Sequence, residues 1–174
     1  IEILPHAMTP ELCEMTLGGL LRHSLPAVRR RAAGLLSEQL SPRAGGLVSD
    51  ALGKEADLPT KIGLVEALGK IRHRSALDEL SRLVEDKNQP EELRTAACLS
   101  LGRIGDVRAV AVLSKIYFKG EKGFTKIFRV IPAAVRGAAA KALASFPTNK
   151  DARDALRSAR EDKDPSVRAI AQQA

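Results

Sequence analysis

The chain has 174 residues, 44% hydrophobic but only 3% aromatic, with no tryptophan. Lys and Arg number 28 against 21 Asp and Glu, a formal net charge of +7. That length suits one domain, no apolar run approaches the roughly 20 residues of a membrane span, and no signal peptide is visible.

Hydrophobic periodicity predicts helices from end to end. Thr9 and Pro10 read as cap and first turn of a helix with Leu12, Leu17, Leu20 and Leu21 on its apolar face. Ser24 and Pro26 begin a second helix running to about Leu40. Ser41-Pro42 opens a third, with Leu47, Val48, Ala51 and Leu52 apolar, and Asp57 to Ile71 forms its partner. Ser75 is expected to cap the next, which carries Leu77, Leu80, Leu83 and Val84 and ends near Asp86.

Pro90 to Asp106 is the clearest helix. Pro90 suits a first turn, where a missing N–H costs nothing, and Leu93, Ala97, Leu101 and Ile104 make one face. Gly102, in mid-helix, costs about 1 kcal/mol of propensity against alanine, so close approach of a neighbouring helix is its expected justification. Gly105 is placed as a stop, and Asp106 is expected to cap a helix with Val110, Leu113 and Ile116. After an insertion, helices are predicted over 132–146 and 148–162, the second with Ala152, Ala155, Leu156 and Ala159. Asp164 caps the last.

The helix pattern repeats. A basic residue stands at 29, 61, 94, 136 and 168, with gaps of 32, 33, 42 and 32. Each is followed by a small-residue stretch such as Ala32-Ala33-Gly34 or Ala96-Ala97. A fixed period of this length signals a solenoid of stacked helix pairs, and the long gap places the insertion at 119–131. The reading is all-α, a superhelix of about five two-helix repeats covering 9–41, 42–73, 74–105, 106–147 and 148–174.

Asp164-Pro165-Ser166-Val167-Arg168 and Leu101-Gly102-Arg103-Ile104-Gly105-Asp106 resemble the opening and close of HEAT repeats, nearest the short variety named after phycobilisome lyases. The resemblance covers nearly the whole chain. It implies a right-handed α-solenoid, with the second helix of each pair lining a concave face, and it implies that the repeated Arg pairs with Asp along the stack. Repeat one has His23-Ser24 and repeat four Val130-Ile131 where that Asp would sit. The ladder is therefore expected to break there, leaving Arg29 and Arg136 freer for a ligand, or else bonded to helix-end carbonyls. The start on Ile and the absence of polar end caps predict a piece of a longer chain with flanking domains.

Two surfaces are candidate sites. Steps of four residues from the signature position give Arg30 and Glu38, then Ile62, Glu66 and Lys70, then Thr95, Leu99 and Arg103, then Gly137, Lys141 and Ser145. This mixed stripe reads as a protein-binding surface or a solvated face. The second is the insertion with its approach: Tyr117, Phe118, Lys119, Lys122, Phe124, Lys126, Phe128 and Arg129 interleave aromatics with cations, which suits phosphate attraction and stacking. The alternative is that the aromatics fold back over adjoining helices.

Catalytic chemistry finds little support in the residues. His6, His23 and His73 are isolated, Cys13 and Cys98 read as buried thiols in a reducing, cytoplasmic setting, and no nucleophile elbow or phosphate loop is present. The expectation is a non-catalytic scaffold with no cofactor and no metal that binds a protein partner and no membrane. Nucleic acid is the alternative, through a resemblance to alkylpurine glycosylases of similar architecture and the basic-aromatic insertion. The family's name adds a chromophore-lyase-like subunit as a third reading.

Overall fold

The computed structural model describes residues 9–39, 41–117 and 131–174. These hold ten α-helices and no strand: α1 (Pro10–Leu20), α2 (Pro26–Gln39), α3 (Pro42–Leu52), α4 (Leu58–Ile71), α5 (Leu77–Glu85), α6 (Glu91–Ile104), α7 (Ala109–Ser114), α8 (Ala133–Leu143), α9 (Lys150–Arg160) and α10 (Pro165–Gln173). A short 3-10 turn, Arg74–Ala76, precedes α5.

Each odd-numbered helix packs against the even-numbered one that follows it. The even helices also pack on one another in sequence, α2 on α4, α4 on α6, α6 on α8 and α8 on α10. They form a continuous inner layer, with the odd helices outside, as a stack of helix pairs requires. The seam between the layers holds fully buried Leu17, Leu36, Leu64, Leu68, Leu101 and Leu143, each worth about 1.5–3 kcal/mol of burial.

Local chemistry sets most helix starts. The side chains of Thr9, Ser41, Asp57, Asn149 and Asp164 accept backbone N–H groups of the first turn, satisfying donors that the helix itself cannot. Three expected helix starts are corrected. Ser75 falls inside the 3-10 turn, and Ala76, the residue before α5, makes no side-chain cap bond. Asp106 takes the Ala109 N–H on its carbonyl at 2.9 Å, while its carboxylate turns to Arg108. Pro90 is the residue before α6 rather than part of its first turn. The predicted spans 132–146 and 148–162 shorten to α8 and α9.

Inner helices are buried on most of their circumference, so small residues are needed where two of them meet. A Cβ on Gly69 of α4 would lie 2.9 Å from Ser100 Cα of α6. A Cβ on Gly102 of α6 would lie 2.8 Å from Ala142 Cα of α8. The close packing expected at Gly102 is therefore present. Buried polar groups on these faces are bonded across them: the Ser100 hydroxyl donates to the Val65 carbonyl at 2.9 Å and Arg94 Nε to the Val84 carbonyl at 3.1 Å. Gly105 ends α6 at φ 71°, a left-handed turn that glycine adopts without strain.

Both cysteines are buried, and burial pushes the Cys98 thiol up to about 12. A thiol-labelling reagent at about pH 8 therefore meets almost no Cys98 thiolate. The expected result is no labelling of either cysteine in the native protein over minutes and labelling of both in denaturant. Rapid native labelling of Cys98 would mean that α6 opens locally.

Candidate partner-binding groove

Helical periodicity carries three rows of side chains across the inner layer, four residues apart along each helix. The first row is Arg30, Ile62, Thr95 and Gly137. The second is Gly34, Glu66, Leu99 and Lys141, and the third is Glu38, Lys70, Arg103 and Ser145. Arg30, Glu38, Glu66, Lys70, Arg103, Lys141 and Ser145 are exposed. Ile62, Thr95 and Leu99 are half-buried, and Ile62 and Leu99 rest on the core. The rows thus make an aliphatic floor on α4 and α6 with charged groups around it. Gly137 does not belong to this open stripe: it is buried, and a Cβ there would lie 2.9 Å from Ile170 Cδ1 of α10.

Between α2 and α4 the floor dips into a hollow of about 200 Å³ lined by Arg30, Gly34, Pro59, Ile62, Glu66 and Lys70 among others. Gly34 keeps it open, because nothing lies within 4 Å of where its Cβ would be. The Arg30 stem lies over Gly63, whose Cβ would sit 3.0 Å from Arg30 Cγ. On α6 the Thr95 hydroxyl oxygen is buried without a hydrogen-bond partner among the described residues. A buried hydroxyl in that state costs stability.

The signature arginines run along one side of this layer, and here the expected break in the ladder is overturned, while the alternative of bonds to helix-end carbonyls is met. Arg29 and Arg136 are not free; each makes a bidentate ion pair that joins neighbouring repeats. Arg29 donates from Nε and Nη2 to Glu55, both at 2.7 Å, and from Nη1 to the His23 and Ser24 carbonyls. Arg136 donates to Asp162 at 2.7 and 2.8 Å, and Nη1 donates to the Ile131 carbonyl. Each acid lies 26 residues beyond its arginine, in the turn that opens the next inner helix. The guanidinium beside each acid holds its carboxyl below the usual range. Arg168, in the last repeat, bonds the Asp162 and Lys163 carbonyls. The pairing acids, Glu55 and Asp162, belong to the entry of the following repeat, beside Asp57 and Asp164, whose carboxylates cap the helices. The paired 26-residue spacing was the signal available in the sequence.

Tyr117 is half-buried, and its hydroxyl donates to the Arg136 carbonyl. Burial pushes the phenol well above its ordinary range. It tethers the end of the α7 turn to α8, and that hydroxyl is committed inside the protein. Phe118, Lys119, Lys122, Phe124, Lys126, Phe128 and Arg129 lie outside the described residues. Among the described residues no group of His, Cys, Asp and Glu is arranged to hold a metal ion. No described helix is long and apolar enough to cross a membrane.

This two-layer stack of antiparallel helix pairs matches known families. The model of the HEAT repeats family matches residues 47–126, and that of the PBS lyase HEAT-like repeat matches residues 135–162. The chain carries HEAT repeats over these residues. Among solved structures it is similar to the complex of CpcE and CpcF of phycocyanin lyase from Nostoc sp. PCC7120, with 22% identity over 94% of this chain and 74% of that one and a TM-score of 0.56. A looser likeness, to human deoxyhypusine hydroxylase in complex with glycerol, has 15% identity over 92% of this chain and 82% of that one, with a TM-score of 0.36. No curated protein matches by sequence. The expectation of a non-catalytic module is corrected by the first of these: the same HEAT-repeat fold is used by subunits of a lyase, so the architecture does not set the chain apart from enzymes.

Proposed function

We propose that this chain binds a protein partner across the inner face of α2, α4, α6 and α8. The observation that carries the reading is the half-buried Ile62–Leu99 floor, rimmed by Arg30, Glu66, Lys70, Arg103 and Lys141. An apolar centre inside a charged rim is the anatomy of a protein interface. The similar phycocyanin lyase structure is itself a complex of two chains, which supports a protein as the occupant. A photo-crosslinking residue at position 99 is expected to capture a discrete partner in the native cell, and the same residue at position 157 on the outer face of α9 is not. Leu99→Glu should abolish capture by a crosslinker at position 62. Equal capture at 99 and 157, or capture at 62 unaffected by Leu99→Glu, would remove the inner face as the site.

The PBS lyase HEAT-like repeat match favours a second reading, a subunit of a lyase-like complex. The captured partner would then carry a covalent change, visible by mass, that depends on this chain.

A further inference from the structure

Charge is unevenly divided between the two edges of the inner face. Lys70 in the last turn of α4 and Arg72 and Arg74 just after it are exposed, as are Arg103 in the last turn of α6 and Arg108 just after it. Arg108 is already committed to Asp106 at 2.9 and 3.1 Å, and this pair holds the Asp106 carboxyl down to about 2. Lys70, Arg72, Arg74 and Arg103 have no ion pair among the described residues. The opposite edge carries exposed Glu91 and Glu92 at the entry to α6, with Glu85 paired to Lys115 and Glu55 to Arg29, and the exposed cations there are Lys54 and Lys87.

Arg72 adds a separate indication. It ends α4 in the left-handed conformation, φ 56° and ψ 42°, the position at which the next repeat has Gly105. A side chain is disfavoured there, and among the described residues no hydrogen bond or ion pair of the Arg72 guanidinium offsets the strain. Lys70 belongs both to this cluster and to the hollow under Ile62. Arg103 stands one repeat further at the same register. Beside them a second hollow of about 260 Å³ is lined by Arg74, Ser75, Leu77, Asp78 and Arg108.

We propose that the occupant of the inner face, if the reading above holds, is an acidic polypeptide segment oriented with its carboxylates at the turns after α4 and α6. Charge complementarity chooses both the chemistry and the direction. A nucleic acid is disfavoured because its phosphates, spread along the strand, would also meet Glu91 and Glu92. The described aromatics, Tyr117 and Phe146, are half-buried and buried, and so offer no stacking platform.

The test uses three labelled probes by fluorescence anisotropy: a glutamate decapeptide, a glutamine decapeptide and a short DNA duplex. The glutamate peptide is expected to bind, to weaken with added salt, and to lose at least about tenfold in affinity on joint replacement of Lys70, Arg72, Arg74 and Arg103 by Glu. Arg72→Gly relieves the left-handed strain, so it should fold at least as stably yet bind the glutamate peptide about threefold more weakly, the size of one exposed ion pair. Charge reversal of Arg153 and Arg157 on α9 should change nothing. Glutamate binding unaffected by the fourfold reversal overturns the proposal. So does tighter binding of the duplex that the same reversal abolishes. Capture of a protein at position 99 that is indifferent to the reversal refutes the acidic segment while leaving the partner reading intact.

Discussion

Asp162→Ala is expected to lower the free energy of unfolding by about 3 kcal/mol, the low end of the range for removing one partner of a buried ion pair. The Arg136 and Asp162 side chains are only 10% and 8% exposed and meet through two bonds of 2.7 and 2.8 Å. Without the carboxylate, the guanidinium keeps the Ile131 carbonyl but stays buried with an uncompensated charge. Asp162 also accepts the Asp164 N–H at 2.9 Å, so a double-mutant cycle with Arg136→Met is needed to isolate the pair. The double variant should recover part of the loss, since two uncharged groups leave no orphan charge. The equivalent pair, Arg29 with Glu55, should matter less because Arg29 is the more exposed arginine, at 18%. Acid titration provides a second readout. Asp162 and Glu55 have carboxyls held below their ordinary values in the fold. The unfolded chain therefore takes up protons first as pH falls. Their stabilisation is complete above the unfolded values near 4 and disappears as pH drops through them toward the lower folded values. Urea unfolding at about pH 7 and pH 3 should show a smaller acid-induced loss in Asp162→Asn than in the parent. A loss below about 1 kcal/mol in Asp162→Ala at neutral pH would place the pair with solvated surface bridges.

Local rules were legible where one helix decides the outcome. Thr9, Asp57 and Asp164 cap because their side chains reach donors two or three residues on, a geometry fixed by the chain itself. Ser75 and Asp106 fail as caps because how the chain enters α5 and α7 depends on docking between repeats: a 3-10 turn intervenes in one case and Arg108 claims the carboxylate in the other. The candidate face was readable for a similar reason. Steps of four residues pick out one side of any helix, so Ile62, Thr95 and Leu99 fall together whatever packs behind them. Gly137 obeys the same steps and is still buried, since α10 lays Ile170 over it, and that contact has no trace in the α8 sequence. The Arg29 and Arg136 pairs were misread through looking for each acid within the arginine's own repeat. A stacked fold satisfies its groups from the neighbouring repeat, and the 26-residue spacing records that.

Gly102→Leu is expected to destabilise the protein by about 3 kcal/mol or more, at the upper end of overpacking costs. The atom in the way is a backbone one: a Cβ would stand 2.8 Å from Ala142 Cα and 3.2 Å from the Ala142 carbonyl oxygen. No rotamer change relieves that approach, so α6 and α8 must part along their whole contact. Even Gly102→Ala should lose stability, because a gain of about 1 kcal/mol in helix propensity opposes a clash that only helix displacement removes. Gly34→Ala is the matched control. It too is a mid-helix glycine of the inner layer, but its Cβ would meet nothing within 4 Å, so propensity acts alone and stability should rise by about 1 kcal/mol. Thermal or urea unfolding of the two alanine variants therefore yields opposite signs. Leu99 and Lys141 ride on the two helices that Gly102 holds together, so partner capture at position 99 should fall in Gly102→Ala if binding depends on that spacing. If both alanine variants were stabilised, helix propensity would outweigh close approach at Gly102, and the inner layer would tolerate a wider separation than 2.8 Å implies.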